Sequence, residues 1–201
     1  ANNIAAWDGS RWLPMGASSA SVSAFAVRDG ELFAAGVFTD EAGTQGRLGR
    51  WDGERWVPIP PFFSGGISSL TVFRGDLIVA GDFTSVGAPA NRVARWDGTQ
   101  WHALGPGLNR EVTALAVHND ELIAAGTFTH AGGQLALRIA AWDGAAWRPL
   151  GDGFADTPVN ALLSLGGRLF AGGEFLRSGV TQTRRIAEWV GGSWREVGGG
   201  F

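Results

Sequence analysis

The sequence predicts an all-β fold of short antiparallel strands, and three observations carry that prediction. A hexapeptide, Trp51-Asp52-Gly53-Glu54-Arg55-Trp56, returns in near copy from Trp7, Trp96 and Trp142 and, with Val190 in place of Asp, from Trp189. The five copies account for all ten tryptophans, and their leading residues lie 44, 45, 46 and 47 residues apart, a period that belongs to arrays of small β-sheets. Glycine is abundant, 32 in 201 residues, and apolar spacing of helical type is absent, so helices of useful length are disfavoured. Four short strands in each unit of about 45 residues make one small sheet with too little core of its own, which must stack on its neighbours; the array is a β-propeller.

Taken in order, residues 4–7 lead through Asp8-Gly9 to 12–15, and 22–27 lead through Arg28-Asp29-Gly30 to 32–35. Asp-Gly between apolar runs of this length is a hairpin signal. The second unit repeats the pattern at 48–51, 56–59, 67–72 and 77–80. The third does so at 93–96, 101–104, 112–117 and 122–125, and the fourth at 139–142, 147–150, 159–164 and 169–171. A last Trp hairpin follows at 186–189 and 194–197. The chain thus reads as a single domain, 1–201, with repeats near 1–45, 46–90, 91–136 and 137–183 and a partial one at 184–201. It holds five Trp hairpins but four of the other kind.

Composition narrows the function classes. All 16 Lys and Arg residues are arginine, and 19 acidic residues leave a net charge of −3, which gives no electrostatic footprint for nucleic acid. Cysteine is absent, removing disulfides, thiolate metal sites and a cysteine nucleophile and leaving the compartment open. No apolar run approaches the roughly 18 residues of a transmembrane helix.

The hairpin of residues 112–117 and 122–125 ending in Gly126 resembles strands A and B of kelch-type blades, and 93–101 resembles strands C and D. A closer resemblance is to bacterial repeats related to the fungal bud-site polarity-marker family. It rests on Gly81-Asp82-Phe83-Thr84 running through a Gly-containing loop to Trp101, and on Gly126-Thr127-Phe128-Thr129 running to Trp147. The resemblance implies a recognition or scaffold surface with diverse partners, and an extracytoplasmic or cell-surface setting. In the kelch phase the chain reads C-D and then A-B-C-D four times, giving four complete blades and an unpaired N-terminal C-D hairpin. Because exposed edge strands must be covered, the expectation is a ring of five or more blades, completed by a longer chain or by a second chain.

Several residue sets are candidates for function. Paired tryptophans on one blade face are read either as packing between blades or as sugar-stacking platforms. Asp8, Asp52, Asp97 and Asp143 come one per blade, too dispersed for a calcium site, and suit turn formation. Arg47, Arg92, Arg138 and Arg185 each stand four residues before a Trp and either bind the carbonyls of the preceding loop or form a partner-binding ring. His102, His118 and His130 fall at different phases, so no shared metal site is expected. No Ser/His/Asp arrangement or isolated carboxylate pair marks a catalytic site, and no cofactor is expected. Function is sought where repeats differ, in the D-A loops: Phe62 and Phe63, Arg110, and Phe154 with Asp156 are the candidate partner contacts. Polar strand-A positions Ser23, Ser68, Thr113 and Asn160 are read as lining the central opening or as solvated strand ends. The expected function is non-enzymatic recognition or assembly of a protein partner through the loop faces. The alternative is a lectin with one weak glycan site per blade.

Overall fold

A computed structural model describes residues 4–16 and 21–199. All regular structure among them is β, and no helix is long and apolar enough to cross a membrane. The chain starts with the hairpin β1 (Ala5–Trp7) and β2 (Trp12–Pro14). The first blade is β3 (Ala24–Arg28), β4 (Glu31–Thr39), β5 (Gln45–Trp51) and β6 (Trp56–Pro58). The second begins with β7 (Ile67–Phe73) and β8 (Asp76–Gly81), passes through a small hairpin of β9 (Ser85–Val86) and β10 (Ala88–Pro89), and ends with β11 (Val93–Trp96) and β12 (Trp101–Ala103). The third follows the same plan with β13 (Val112–His118), β14 (Glu121–Gly126), the small pair β15 (His130–Ala131) and β16 (Gln134–Leu135), then β17 (Ile139–Trp142) and β18 (Trp147–Pro149). The fourth has β19 (Val159–Leu165), β20 (Arg168–Gly173), β21 (Arg177–Ser178) and β22 (Thr181–Gln182), then β23 (Ile186–Val190) and β24 (Ser193–Glu196). Each blade is a four-stranded antiparallel sheet in chain order, from strand A inside to strand D outside.

The Trp-Asp-Gly motif makes the C-D turn. In each of the first four copies the Asp carboxylate accepts the backbone N–H groups two and three residues on, at 2.8 and 2.9 Å for Asp8 and 2.7 and 2.8 Å for Asp143. The following glycine takes φ between 101° and 108°, a conformation L side chains rarely adopt. A four-residue connection puts the two tryptophans directly opposite, as in Trp51↔Trp56 and Trp142↔Trp147, with ring centroids 5.1–5.5 Å apart across the five pairs. Where Val190 replaces Asp, the strand runs one residue further: Val190 pairs with Ser193 and Gly191-Gly192 close a two-residue turn.

Strand alternation gives each blade two apolar faces. One face, Leu77, Val79, Trp96 and Trp101 in the second blade, packs back on Phe33, Ala35 and Leu48 of the first. The other, Ile78, Ala80 and Val93, packs forward under Leu122, Trp142 and Trp147 of the third. The third and fourth blades meet through the same positions, Ile123, Ala125 and Ile139 against Leu169, Trp189 and Trp194. The N-terminal hairpin serves as a half blade, laying Ile4 on Ala34, Phe38 and Trp56. Polar strand-A positions stitch neighbouring blades: Ser23 Oγ donates to the Ile67 carbonyl at 2.6 Å and Thr113 Oγ1 to the Val159 carbonyl at 2.7 Å.

Among the described residues, the outer faces of the first and fourth blades are uncovered. On the forward face of the fourth blade, Leu163 and Leu165 are 52% and 65% exposed, and Phe170 and Ile186 are half-buried; their counterparts Ile78, Ile123, Val93 and Ile139 are fully covered. On the back face of the first blade Phe25 and Val27 stand exposed, as do Trp7 and Trp12 on the hairpin.

Candidate interaction face

The D-A loops and B-C hairpins gather at one end of the blades, where one loop braces the next hairpin. Phe63 bridges to Val86 and Leu108 to Ala131. Ser64 Oγ accepts the N–H groups of Thr84 and Ser85 at 2.9 and 3.0 Å, and Asn109 Oδ1 accepts those of Thr129 and His130 at 2.9 and 3.0 Å. These loops are therefore fixed by the scaffold, the arrangement that lets a surface recognise without reordering.

Two of the candidate contacts are core. Phe63 is buried, edge-on to Phe83 and Trp101 with centroids 5.1 Å away in both cases. Phe154 is fully buried and stacked on Phe175 at 4.0 Å. Both wedge between successive blades, so neither side chain is open to a partner. A signal for this exists in the sequence: Phe63, Leu108 and Phe154 each stand seven residues after the second Trp of a hairpin, and Leu108 is buried at the same place.

Phe62 is different. It is 61% exposed, and its counterparts are Gly107 and Gly153, both at positive φ, where a Cβ would run into the Asn91 and Leu137 carbonyls. Among the described D-A loops, the one with Pro60-Pro61 carries a side chain there. Phe62 stands as a ridge between two hollows, of about 290 and about 260 Å³, that share Gln45, Gly46 and Phe62 as walls. Asp40 and Thr44 with the run from Pro58 to Pro61 complete the first, and Val37, Arg47 and Phe63 the second.

Backbone sets Arg47 apart from the other three arginines, since Arg92, Arg138 and Arg185 all take positive φ. Arg92 and Arg138 sit at φ 68° just before strand C, and each guanidinium turns back on the loop it follows. Arg138 Nη1 donates to the Thr127 carbonyl at 2.5 Å and the Phe128 carbonyl at 3.3 Å, and Arg92 donates to the Asp82 and Phe83 carbonyls. Arg47 lies instead within β5, because β4 and β5 form one long hairpin, Thr39 pairing with Gln45, with no small hairpin between them. Its exposed guanidinium makes no ion pair or hydrogen bond among the described residues. Arg185, Arg110 and Asp156 are also exposed, on later blades, and line neither hollow. The structure thus brings Arg47 to Phe62 and leaves the other exposed candidates apart. Asp40 and Gln45 were missed by sequence reasoning, since their role depends on the length of one hairpin.

At the opposite end the turn carboxylates are held ionised. The Ser10 hydroxyl and the Arg11 and Ser10 amides lower Asp8 to about 2, and the His102 ring, at 2.7 Å, with the Gln100 amide drives Asp97 lower still. The three histidines have separate partners, His102 with Asp97, His118 with Ser164 and His130 with Thr129. No group of three or more His, Cys, Asp or Glu side chains suited to a metal occurs among the described residues.

Comparison with known proteins agrees with this geometry. A family described as "Domain of unknown function (DUF5122) beta-propeller" matches residues 75–96, from the second blade's A-B turn to its strand C. The fold is a β-propeller. Among solved structures, the computationally designed Ika4 protein is similar over 83% of this propeller and 93% of its own chain, with a TM-score of 0.54 at 13% identity. A structure of YCF48 bound to D1 peptide is similar over 94% of the propeller, with a TM-score of 0.51 at 16% identity. The propeller spans 58% of that YCF48 chain. No curated protein matches its sequence.

Proposed function

We propose that this propeller is a non-enzymatic recognition module of kelch-like type, related to the bacterial repeats that resemble the bud-site family, and that it holds a protein partner on its loop face. The observation that carries the reading is Phe62, a solvent-facing aromatic ridge between two hollows on braced loops, with the unpaired guanidinium of Arg47 lining one of them. An aromatic anchor beside an arginine is the composition of an interface hot spot, and a rigid frame limits the entropy lost on binding. A peptide with an apolar side chain for one hollow and a carboxylate for Arg47 fits this chemistry. YCF48, a propeller of similar fold, is bound to D1 peptide in its structure, which supports peptide capture as a use of such a frame. A second polypeptide completing the stack of blades belongs to the same reading.

The test is selection of peptides from a random display library on the immobilised full chain, followed by titration against Phe62→Ala and Arg47→Ala. The proposal expects selected peptides to bind the native chain at least tenfold more tightly than either variant, with unchanged melting. Peptides that bind all three proteins equally would overturn it.

A further inference from the structure

Two charges of opposite sign stand on the β4–β5 hairpin without a counter-ion, one on each side of Phe62. Asp40 is exposed; its Oδ1 accepts the Thr44 N–H at 2.7 Å, and its carboxylate makes no ion pair among the described residues. Glu41 beside it does pair, with Arg55. Arg47 is also without an acidic partner there, since β5 holds it away from the carbonyl-binding place of Arg92 and Arg138. The wall that both charges face is uncharged, residues 58–63 reading Pro-Ile-Pro-Pro-Phe-Phe. Asp40 lines the hollow of about 290 Å³ and Arg47 the one of about 260 Å³.

The separation of the two charges follows from the hairpin register. The Asp40 N–H donates to the Thr44 carbonyl at 3.0 Å, which sets Asp40 level with Thr44. Arg47 stands three residues further along the chain, and a strand advances about 3.4 Å per residue, so roughly 10 Å of β5 divides them. Exposed charges that far apart are largely screened from each other. The span also exceeds what the adjacent amino and carboxylate groups of a free α-amino acid can bridge, and it suits two side chains borne on one extended segment.

We propose that the segment held at Phe62 is a zwitterionic stretch of polypeptide whose lysine or arginine meets Asp40 and whose aspartate or glutamate meets Arg47, the two straddling the aromatic ridge. The inference rests on the reading of Phe62 as a peptide anchor and adds the sign and spacing of the charges beside it. The basic residue lays its methylene stem along the apolar wall from Pro58 to Pro61 and sets its charged head on Asp40, the usual way a long cationic side chain divides between apolar surface and a polar partner. Base and acid stand about two to four residues apart, since an extended chain covers roughly 10 Å in about three residues and the side chains take up the difference. A segment with acids at both places, or bases at both, brings like charges together on one side of the ridge, which selects against it. The uncharged wall offers such a misplaced charge no other partner.

The experiment takes peptides selected from a random display library on the immobilised full chain and titrates synthetic copies against the native protein, Asp40→Asn, Arg47→Ala and Phe62→Ala. Selected peptides are expected to share a basic and an acidic residue at the stated spacing. Asp40→Asn keeps an oxygen for the Thr44 N–H, so it is expected to leave melting unchanged while weakening these peptides about tenfold or more. Replacing the basic residue of the peptide by norleucine, which keeps the stem and removes the charge, is expected to cost the same against the native chain. Against Asp40→Asn it is expected to cost nothing further, the non-additivity of two groups that meet. Peptides that need Phe62 and Arg47 but bind Asp40→Asn as tightly as the native chain would overturn this inference and leave the anchor reading standing. So would losses from Asp40→Asn and from norleucine that simply add. Peptides indifferent to Phe62 and Arg47, or a library that yields no binder, would overturn both.

Discussion

The Trp147 indole donates its Nε1 hydrogen to the carbonyl of Leu104, 43 positions earlier and one blade back, at 2.8 Å. Trp56 does the same to Met15 at 2.8 Å, Trp194 to Leu150 at 3.0 Å and Trp101 to Pro60 at 3.1 Å. In these four copies the second tryptophan therefore fills the space between blades and also satisfies the main chain where the preceding blade ends. Trp147→Phe keeps most of the apolar contact and leaves that carbonyl unpaired, a loss of about 1–3 kcal/mol. Trp147→Ala adds a cavity and costs about 3–5 kcal/mol. Trp12, 68% exposed at the open end, is expected to lose under about 0.5 kcal/mol on the same change to alanine. Urea unfolding of the three variants checks the order.

The wedge position separates two adjacent phenylalanines of one loop. Phe63→Ala is expected to destabilise by about 3–5 kcal/mol, and Phe62→Ala by no more than about 0.5 kcal/mol. Equal melting temperatures for the two variants would contradict the assignment of one to the core and the other to the surface.

Glycine at the end of strand B is required by the neighbouring backbone. A Cβ on Gly126 would run into the Glu111 carbonyl, and one on Gly81 into that of Gly66, so Gly126→Ala is expected to cost about 1–3 kcal/mol as overpacking. Gly172 meets nothing nearer than 3.9 Å, and its counterparts are Ala35, Ala80 and Ala125. Gly172→Ala is expected to be neutral or mildly stabilising, by about 0.4–1 kcal/mol, in thermal unfolding.

Turn carboxylates set an acid limit. Asp8, Asp52, Asp97 and Asp143 are all held below the ordinary carboxylate range, by hydrogen bonds from backbone amides in every case and first of all from Ser10 at Asp8 and from His102 at Asp97. The folded state then takes up protons later than the unfolded chain, whose aspartates titrate near about 3.9. Their contribution is complete above that pH, declines as pH falls through it, and is gone below the folded values, about 2 for Asp8. Melting temperature is expected to fall between about pH 5 and pH 2. Asp97→Asn, which retains an oxygen for the Thr99 and Gln100 amides, is expected to flatten that dependence. An unchanged slope would remove the turn carboxylates as its cause.

Much of the architecture was legible in the sequence because one local device recurs. Asp-Gly fixes a turn, the turn sets both tryptophans on one face, and the period of the motif sets the blade. The half blade followed from counting Trp hairpins against A-B hairpins. The site was less legible. Phe62 and Phe63 have the same chemistry and adjacent places in an apolar loop, and only the bridge from Phe63 to Val86 decides which one points inward. Arg47, Arg92, Arg138 and Arg185 share a spacing from Trp, yet only Arg92 and Arg138 turn back on loop carbonyls; Arg185 has a similar positive φ and stays exposed, and Arg47 lies within a strand. That last difference comes from the length of the β4–β5 hairpin, a tertiary property that spacing does not carry.

Hydrogen exchange of the free chain tests most directly the central claim, a stack of equivalent blades in which pairing on both edges sets the protection of each strand C. Ala94 and Trp96 are paired with strand B on strand C of an internal blade, and Ala5 and Trp7 hold the same positions on β1, which among the described residues pairs with β2 alone. The account predicts that the Ala5 and Trp7 amides exchange at least a hundredfold faster than those of Ala94 and Trp96. Equal protection at the two sites would contradict it.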